Sequence, residues 1–149
     1  MAEGQDGLGR WPISCELPVQ WGEMDALKHV NHTVFARWME TTRMYYFIAC
    51  GFVDLFEKEG VGPILARLKV DYLAPVRFPD TVTVHTTITR IGSSSFEMDY
   101  RITSAAMDGE TVATATVSGV VFDYNANRST PMPDSLRAKI LKLEASGSG

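Results

Sequence analysis

Cysteine is scarce in this chain: Cys15 and Cys50, 35 residues apart, are the only two. That spacing lacks the close pairing of a zinc site or a disulfide framework, so both read as buried thiols of a reducing compartment. A surplus of positive charge is missing as well. With 14 Lys and Arg against 18 Asp and Glu, the net charge is −4, and composition gives no support to nucleic acid or an anionic membrane as partner. No stretch approaches the roughly 18 consecutive apolar residues of a membrane span. The opening MAEGQDGLGRWP lacks the basic start and apolar run of a signal peptide. The expectation is a cytoplasmic protein whose partner is a small molecule or another protein.

What is present suits one globular unit. The 149 residues are 45% hydrophobic, enough for one core. A single domain is expected over 1–145, with 1–12 flexible and a linker-like flexible tail at 146–149.

Ile13 to Trp21 alternates apolar and polar residues as a strand, and Pro18 suits an edge strand or a bulge. From Asn31, placed as N-cap, the pattern turns helical through Cys50, and Gly51 ends it. Val34, Phe35, Trp38, Met39, Tyr45, Tyr46, Ile48 and Ala49 spread well beyond one narrow stripe, which predicts a helix wrapped by its surroundings. A short helix follows at about Val53 to Lys58. The period then drops to two: Ile64 to Tyr72, Thr81 to Ile91, the clean alternation of Phe96, Met98, Tyr100 and Ile102, and Thr111 to Phe122 after the Asp108-Gly109 turn. Ser135 to Leu143 can form a terminal amphipathic helix. The pattern predicts an α+β fold, a five-stranded antiparallel sheet around one long central helix. An open sheet leaves unpaired edges, so a homodimer or a dimer of dimers is expected.

Chemistry concentrates in WGEMDALKHVNH, residues 21–32, which sets Glu23, Asp25, His29, Asn31 and His32 at the entrance to the long helix. A helix start offers unpaired N–H groups and a positive dipole end, suited to an anion or a developing oxyanion. Asp25, six residues before Asn31, could face a carbonyl polarised by the amides of about His32 and Thr33. Imidazoles and carboxylates also invite a metal reading, but no pattern elsewhere supplies a second shell, and no metal is expected. Taken alone, Asp25 is a loop carboxylate, Asn31 a helix cap, Glu40 and Arg43 an i,i+3 pair, His85 a strand residue on a solvent or interface face, and Ser93 to Ser95 a hairpin loop.

Asp25-Ala26, His29-Val30-Asn31 and then Phe35, Trp38, Glu40 and Arg43 resemble the pattern D-x-D-A-x-G-H-V-N-N followed by an F-E-x-A-R type helix segment. That is the pattern of the 4-hydroxybenzoyl-CoA thioesterase-like branch of the hot dog superfamily. LKVDYLAPVRFPDTVTV and TRIGSSSFEMDYRI are similar to its later strands. The resemblance implies a hot dog fold, hydrolysis of an acyl-coenzyme A thioester, a site at a dimer interface, and no cofactor beyond coenzyme A in the substrate. It implies Asp25 as the catalytic carboxylate, as nucleophile or as general base, and the His32 backbone amide as the group polarising the thioester. His29 and Glu40 join them near the reaction, with Asn31, Thr33, Arg90, Ser93, Ser94 and Ser95 along the substrate and its coenzyme A arm.

The chain departs from the pattern at Glu23, where a first aspartate is common, at Lys28 and Pro79, where glycine is usual, and at His32, where a second asparagine is common. Leu27 stands where the related plant acyl-carrier-protein thioesterases have asparagine. Two rival functions remain: a thioesterase acting on an acyl carrier protein, for which net acidity is a poor match, and a non-catalytic acyl-CoA binding module, in which Asp25 would have no task. A hydratase on the same fold would need a paired aspartate and histidine segment that is not found.

Overall fold

The computed structural model describes residues 7–147. The elements run β1 (Ile13–Pro18), a 3-10 turn (Trp21–Glu23), α1 (His32–Ala49), α2 (Phe52–Glu59), β2 (Val61–Tyr72), β3 (Thr81–Ile91), β4 (Ser95–Ser104), a second 3-10 turn (Ala105–Met107), β5 (Glu110–Asp123), β6 (Arg128–Ser129) and α3 (Asp134–Ala145). The sheet order is β1-β3-β4-β5-β2, with β6 paired to β5 and every pairing antiparallel. Periodicity alone misses the sixth strand, because two residues are too short to show a period. The strand opening at Ile13 stops at Pro18: Trp21 belongs to the 3-10 turn and stands 71% exposed.

Alternation decides which face of the sheet is core. In β4, Phe96, Met98, Tyr100 and Ile102 are buried, and they meet Val82, Val84 and Ile88 of β3 and Ala113, Ala115, Val117 and Val121 of β5. Against this face α1 lays Phe35, Trp38, Met39, Thr42, Tyr46 and Phe47. Gly119 makes room for its cross-strand neighbour: a Cβ there would meet the Phe96 ring at 2.3 Å. The other side of α1 is open. Met44, Tyr45 and Ile48 are 44%, 55% and 59% exposed, so one protomer covers only one side of the helix, and the expected all-round wrapping is not met by the sheet alone.

α3 closes the back of the fold through Glu144, whose carboxylate is 0% exposed. It accepts from the N–H groups of Arg10 and Ile88 (both 2.9 Å) and from the hydroxyls of Tyr46 and Thr87 (both 2.7 Å). The first of these bonds, with Leu8 buried, packs the chain from Gly7 to Pro12 onto the domain; the rest of the segment expected to be flexible, residues 1–6, and residues 148–149 lie outside the described residues. Cys50 is buried while Cys15 is half-buried, and both are free thiols. Among the described residues no helix is long and apolar enough to cross a membrane.

Candidate active site at the start of the central helix

The loop between the first 3-10 turn and α1 is tied at both ends. Met24 and Val30 form an antiparallel bridge, the Asn31 N–H donates to the Glu23 carbonyl (3.0 Å), and the Val30 N–H donates to the Val76 carbonyl of the β2–β3 loop (2.8 Å). Inside this frame the chain turns tightly: the Lys28 N–H donates to the Asp25 carbonyl (2.9 Å) and the Asp25 N–H to the His29 carbonyl (3.0 Å). Lys28 adopts φ 67°, the left-handed conformation that glycine favours. The departure from glycine therefore leaves the turn intact.

Asp25 is exposed, yet its carboxylate is held at both oxygens. Oδ1 accepts from the Leu27 N–H at 2.9 Å and Oδ2 from the Asn31 side-chain amide at 3.2 Å. Asn31 faces the other way at the same time: its Oδ1 caps α1 by accepting from the Thr33 N–H (2.9 Å) and hydroxyl (2.5 Å). The Val34 N–H donates to the Asn31 carbonyl (2.9 Å). Of the first three amides of α1, the His32 N–H is thus left without an acceptor among the described residues. One asparagine joins a carboxylate to the end of α1 where that open amide lies, and the dipole of α1 adds partial positive charge there. Such an arrangement can polarise a carbonyl and present it to a carboxylate.

Tyr72, the last residue of β2, reaches the same turn. Its hydroxyl donates to the His32 carbonyl (3.1 Å), and its ring meets Phe35 edge-on at 5.2 Å. Burial pushes its phenol pKa up, which keeps it a donor. His29 is half-buried, with Nε2 2.9 Å from a guanidinium nitrogen of Arg77. Arg77 was not legible as a site residue: it stands alone between Pro75 and Pro79, with no charge pattern around it.

The other expected residues are engaged differently or lie elsewhere. The Glu23 side chain accepts from the Gln20 N–H (2.7 Å), and among the described residues no group of three or more His, Cys, Asp or Glu could hold a metal ion. Thr33 is spent on the cap. Glu40 is exposed two turns along α1, and no ion pair joins it to Arg43, whose guanidinium instead donates to the Tyr100 hydroxyl (3.1 Å). Glu40 and Arg43 flank a groove of about 190 Å³ between α1 and the Pro63–Leu65 end of β2, which adjoins an apolar pocket of about 350 Å³ lined by Met44, Phe47, Val53, Phe56, Pro63 and Tyr124. Phe56 lines the pocket and Leu65 the groove, whereas Phe52 is core. Arg90, paired loosely with Glu97 (3.8 Å), and Ser93 to Ser95 lie at the β3–β4 hairpin. β3 runs 11 residues from the Asp80 end, beside the Asp25 loop, to that hairpin, so one protomer places these residues at the far end of its sheet from Asp25. His85 faces Arg101 across β3 and β4, half-buried.

Known proteins are similar to this chain in fold and sequence. Structures similar to the chain include the PA2801 protein of Pseudomonas aeruginosa, provisionally named a thioesterase (35% identity, TM-score 0.76, covering 86% of this chain and 97% of that one). A Thermus thermophilus thioesterase solved with coenzyme A and zinc is similar at 31% identity and TM-score 0.79, covering 91% and 96%. YneP of Bacillus subtilis, provisionally named an acyl-CoA thioesterase, is 29% identical over 109 residues, 72% of this chain and 78% of YneP. The profile of the thioesterase-like superfamily matches residues 19–140, and with its hot dog fold the chain belongs to that superfamily of thioester hydrolases.

Proposed function

We propose that the protein hydrolyses acyl-coenzyme A thioesters, with Asp25 as the reacting carboxylate and the His32 amide as oxyanion donor. The observation that carries this reading is the Asn31 bracket, which ties an exposed carboxylate to a helix start whose His32 N–H is open. The thioester carbonyl oxygen would accept from the His32 N–H as negative charge develops on it, an interaction typically worth about 2.7–4 kcal/mol in the barrier. Asp25 then has two routes. Attack on the carbonyl carbon expels the coenzyme A thiolate and leaves a mixed anhydride that water cleaves; alternatively Asp25 takes the proton of a water that attacks directly. Coenzyme A enters only as part of the substrate.

A homodimer completes the site in this reading. β2 is an open edge with Ile64, Leu65, Leu68 and Tyr72 exposed, and Leu73 exposed just after it, an arrangement that invites pairing with a second copy. Antiparallel pairing of two such strands sets the Tyr72 end of one copy against the Pro63–Leu65 end of the other. Asp25 of one subunit would then face Glu40 and the apolar pocket of its partner, which would hold the acyl group. The partner's β3–β4 hairpin, with Arg90 and Ser93 to Ser95, lies at that same end of the sheet, since Ser95 pairs with Val120 and Val120 with Ile64. It would take the coenzyme A arm.

Thiol release from short, long and aromatic acyl-CoA esters, alongside the same acyl groups on a carrier protein, tests the function. Turnover of free acyl-CoA is expected; binding without turnover would establish a non-catalytic module, and turnover of the carrier-linked esters alone would make the carrier protein the substrate. Single turnover in ¹⁸O water distinguishes the two routes by whether label enters Asp25.

A further inference from the structure

Arg77 touches none of the residues proposed above to react, yet its guanidinium is bonded to a side chain of the loop that carries Asp25. No carboxylate lies within ion-pair distance of it among the described residues; its recorded polar partner is the Nε2 of His29, 2.9 Å away. A guanidinium has five N–H donors and no acceptor. For this contact to be a hydrogen bond, the nitrogen facing the guanidinium must bring a lone pair, which puts the ring proton on Nδ1.

The position of this contact matters more than its strength. Residue 76 is already fastened to the loop by the bond from the Val30 N–H, and the His29 carbonyl holds the Asp25 N–H. Arg77 thus grips the side chain of the residue whose backbone closes the Asp25 turn. We propose that Arg77 is a positioning residue: it fixes His29 as the Nδ1–H tautomer and steadies the turn that presents Asp25. His29 becomes a donor of fixed orientation and is withdrawn from service as a base at Nε2. This assignment rests on the reading of Asp25 as the reacting carboxylate.

Long-range ¹H–¹⁵N correlation spectra of the full chain report the tautomer directly. The wild-type protein is expected to show His29 protonated at Nδ1, Arg77→Ala to shift it toward Nε2–H, and Arg77→Lys, which keeps a cationic donor, to preserve the wild-type pattern. In acyl-CoA hydrolysis Arg77→Ala should lower kcat about tenfold, the scale of one lost hydrogen bond, with KM little changed and partial recovery in Arg77→Lys. A wild-type ring protonated at Nε2, a tautomer indifferent to Arg77→Ala, or an unchanged kcat in that variant would overturn the proposal. Its failure is distinguishable from that of the hydrolase reading: a wild-type protein inert toward every ester sinks the latter while the spectra still decide the tautomer, and a wrong tautomer with Asp25-dependent hydrolysis sinks only the former.

Discussion

Asp25 and Glu144 are both carboxylates clasped by a mixture of backbone and side-chain donors, but the two clasps differ in what they leave over. Glu144 is enclosed and accepts four hydrogen bonds from three separate parts of the chain, the N-terminal segment, α1 and two neighbouring residues of β3. Its oxygens have no access to anything else. Asp25 accepts two, both from its own loop, and both oxygens remain open to solvent with lone pairs to spare. Full satisfaction makes a carboxylate a bolt; partial satisfaction at the surface holds it in place with capacity left for a further partner.

The widest contrast is in stability. Glu144→Ala leaves donors without an acceptor, three of them on the buried residues Tyr46, Thr87 and Ile88, and should cost roughly 2–4 kcal/mol by urea denaturation. A loss below about 0.5 kcal/mol would deny Glu144 the part of a bolt. Asn31→Ser sharpens the comparison at the other carboxylate. Serine keeps a good helix cap but has no amide to reach Asp25, so hydrolysis should fall about tenfold while helix content and melting temperature hold; equal activity would show that the Asn31 bond does not aim the carboxylate.

Alkaline pH probes the buried end. Burial holds the Cys50 thiol up to about 11 against an ordinary 9.0, and burial with the nearby Glu144 pushes the Tyr46 phenol far up as well. The folded state keeps neutral forms that the unfolded chain would ionise. Stability is therefore fully present below pH about 9 and falls as pH rises toward about 11. Urea midpoints across that range should decline, less steeply in Cys50→Ala; a flat profile would remove these groups from the account. The smallest effect is at Lys28. Relieving a left-handed lysine by Lys28→Gly should stabilise the fold by about 1 kcal/mol without altering hydrolysis, and a destabilised variant would mean that the lysine side chain supports the turn.

The same contrast explains what was legible in the sequence. Strands β3, β4 and β5 and the span of α1 follow from period and capping, because burial on one face writes itself into alternation. Asp25 and the His32 amide were legible from crowding of polar residues at a helix entrance together with the family pattern. Glu144 was invisible: a glutamate in an amphipathic terminal helix looks solvated until its donors, which come from residues 10, 46, 87 and 88, are brought around it. Arg77 was hidden for the same reason, since its partner lies 48 residues away. Glu40 was expected near the reaction, and Arg90 and the serines at 93 to 95 along the coenzyme A arm of a site at a dimer interface; one protomer keeps them apart from Asp25, and a second copy across β2 is what would unite them.

Thiol release by Asp25→Asn beside the wild-type protein, on whichever acyl-CoA ester the wild type turns over, addresses the central claim. Asparagine matches the size of aspartate and can keep the Leu27 contact, so the account predicts an unchanged melting temperature and a rate lower by about 10²- to 10⁴-fold. Hydrolysis at the wild-type rate by a folded Asp25→Asn protein would contradict it.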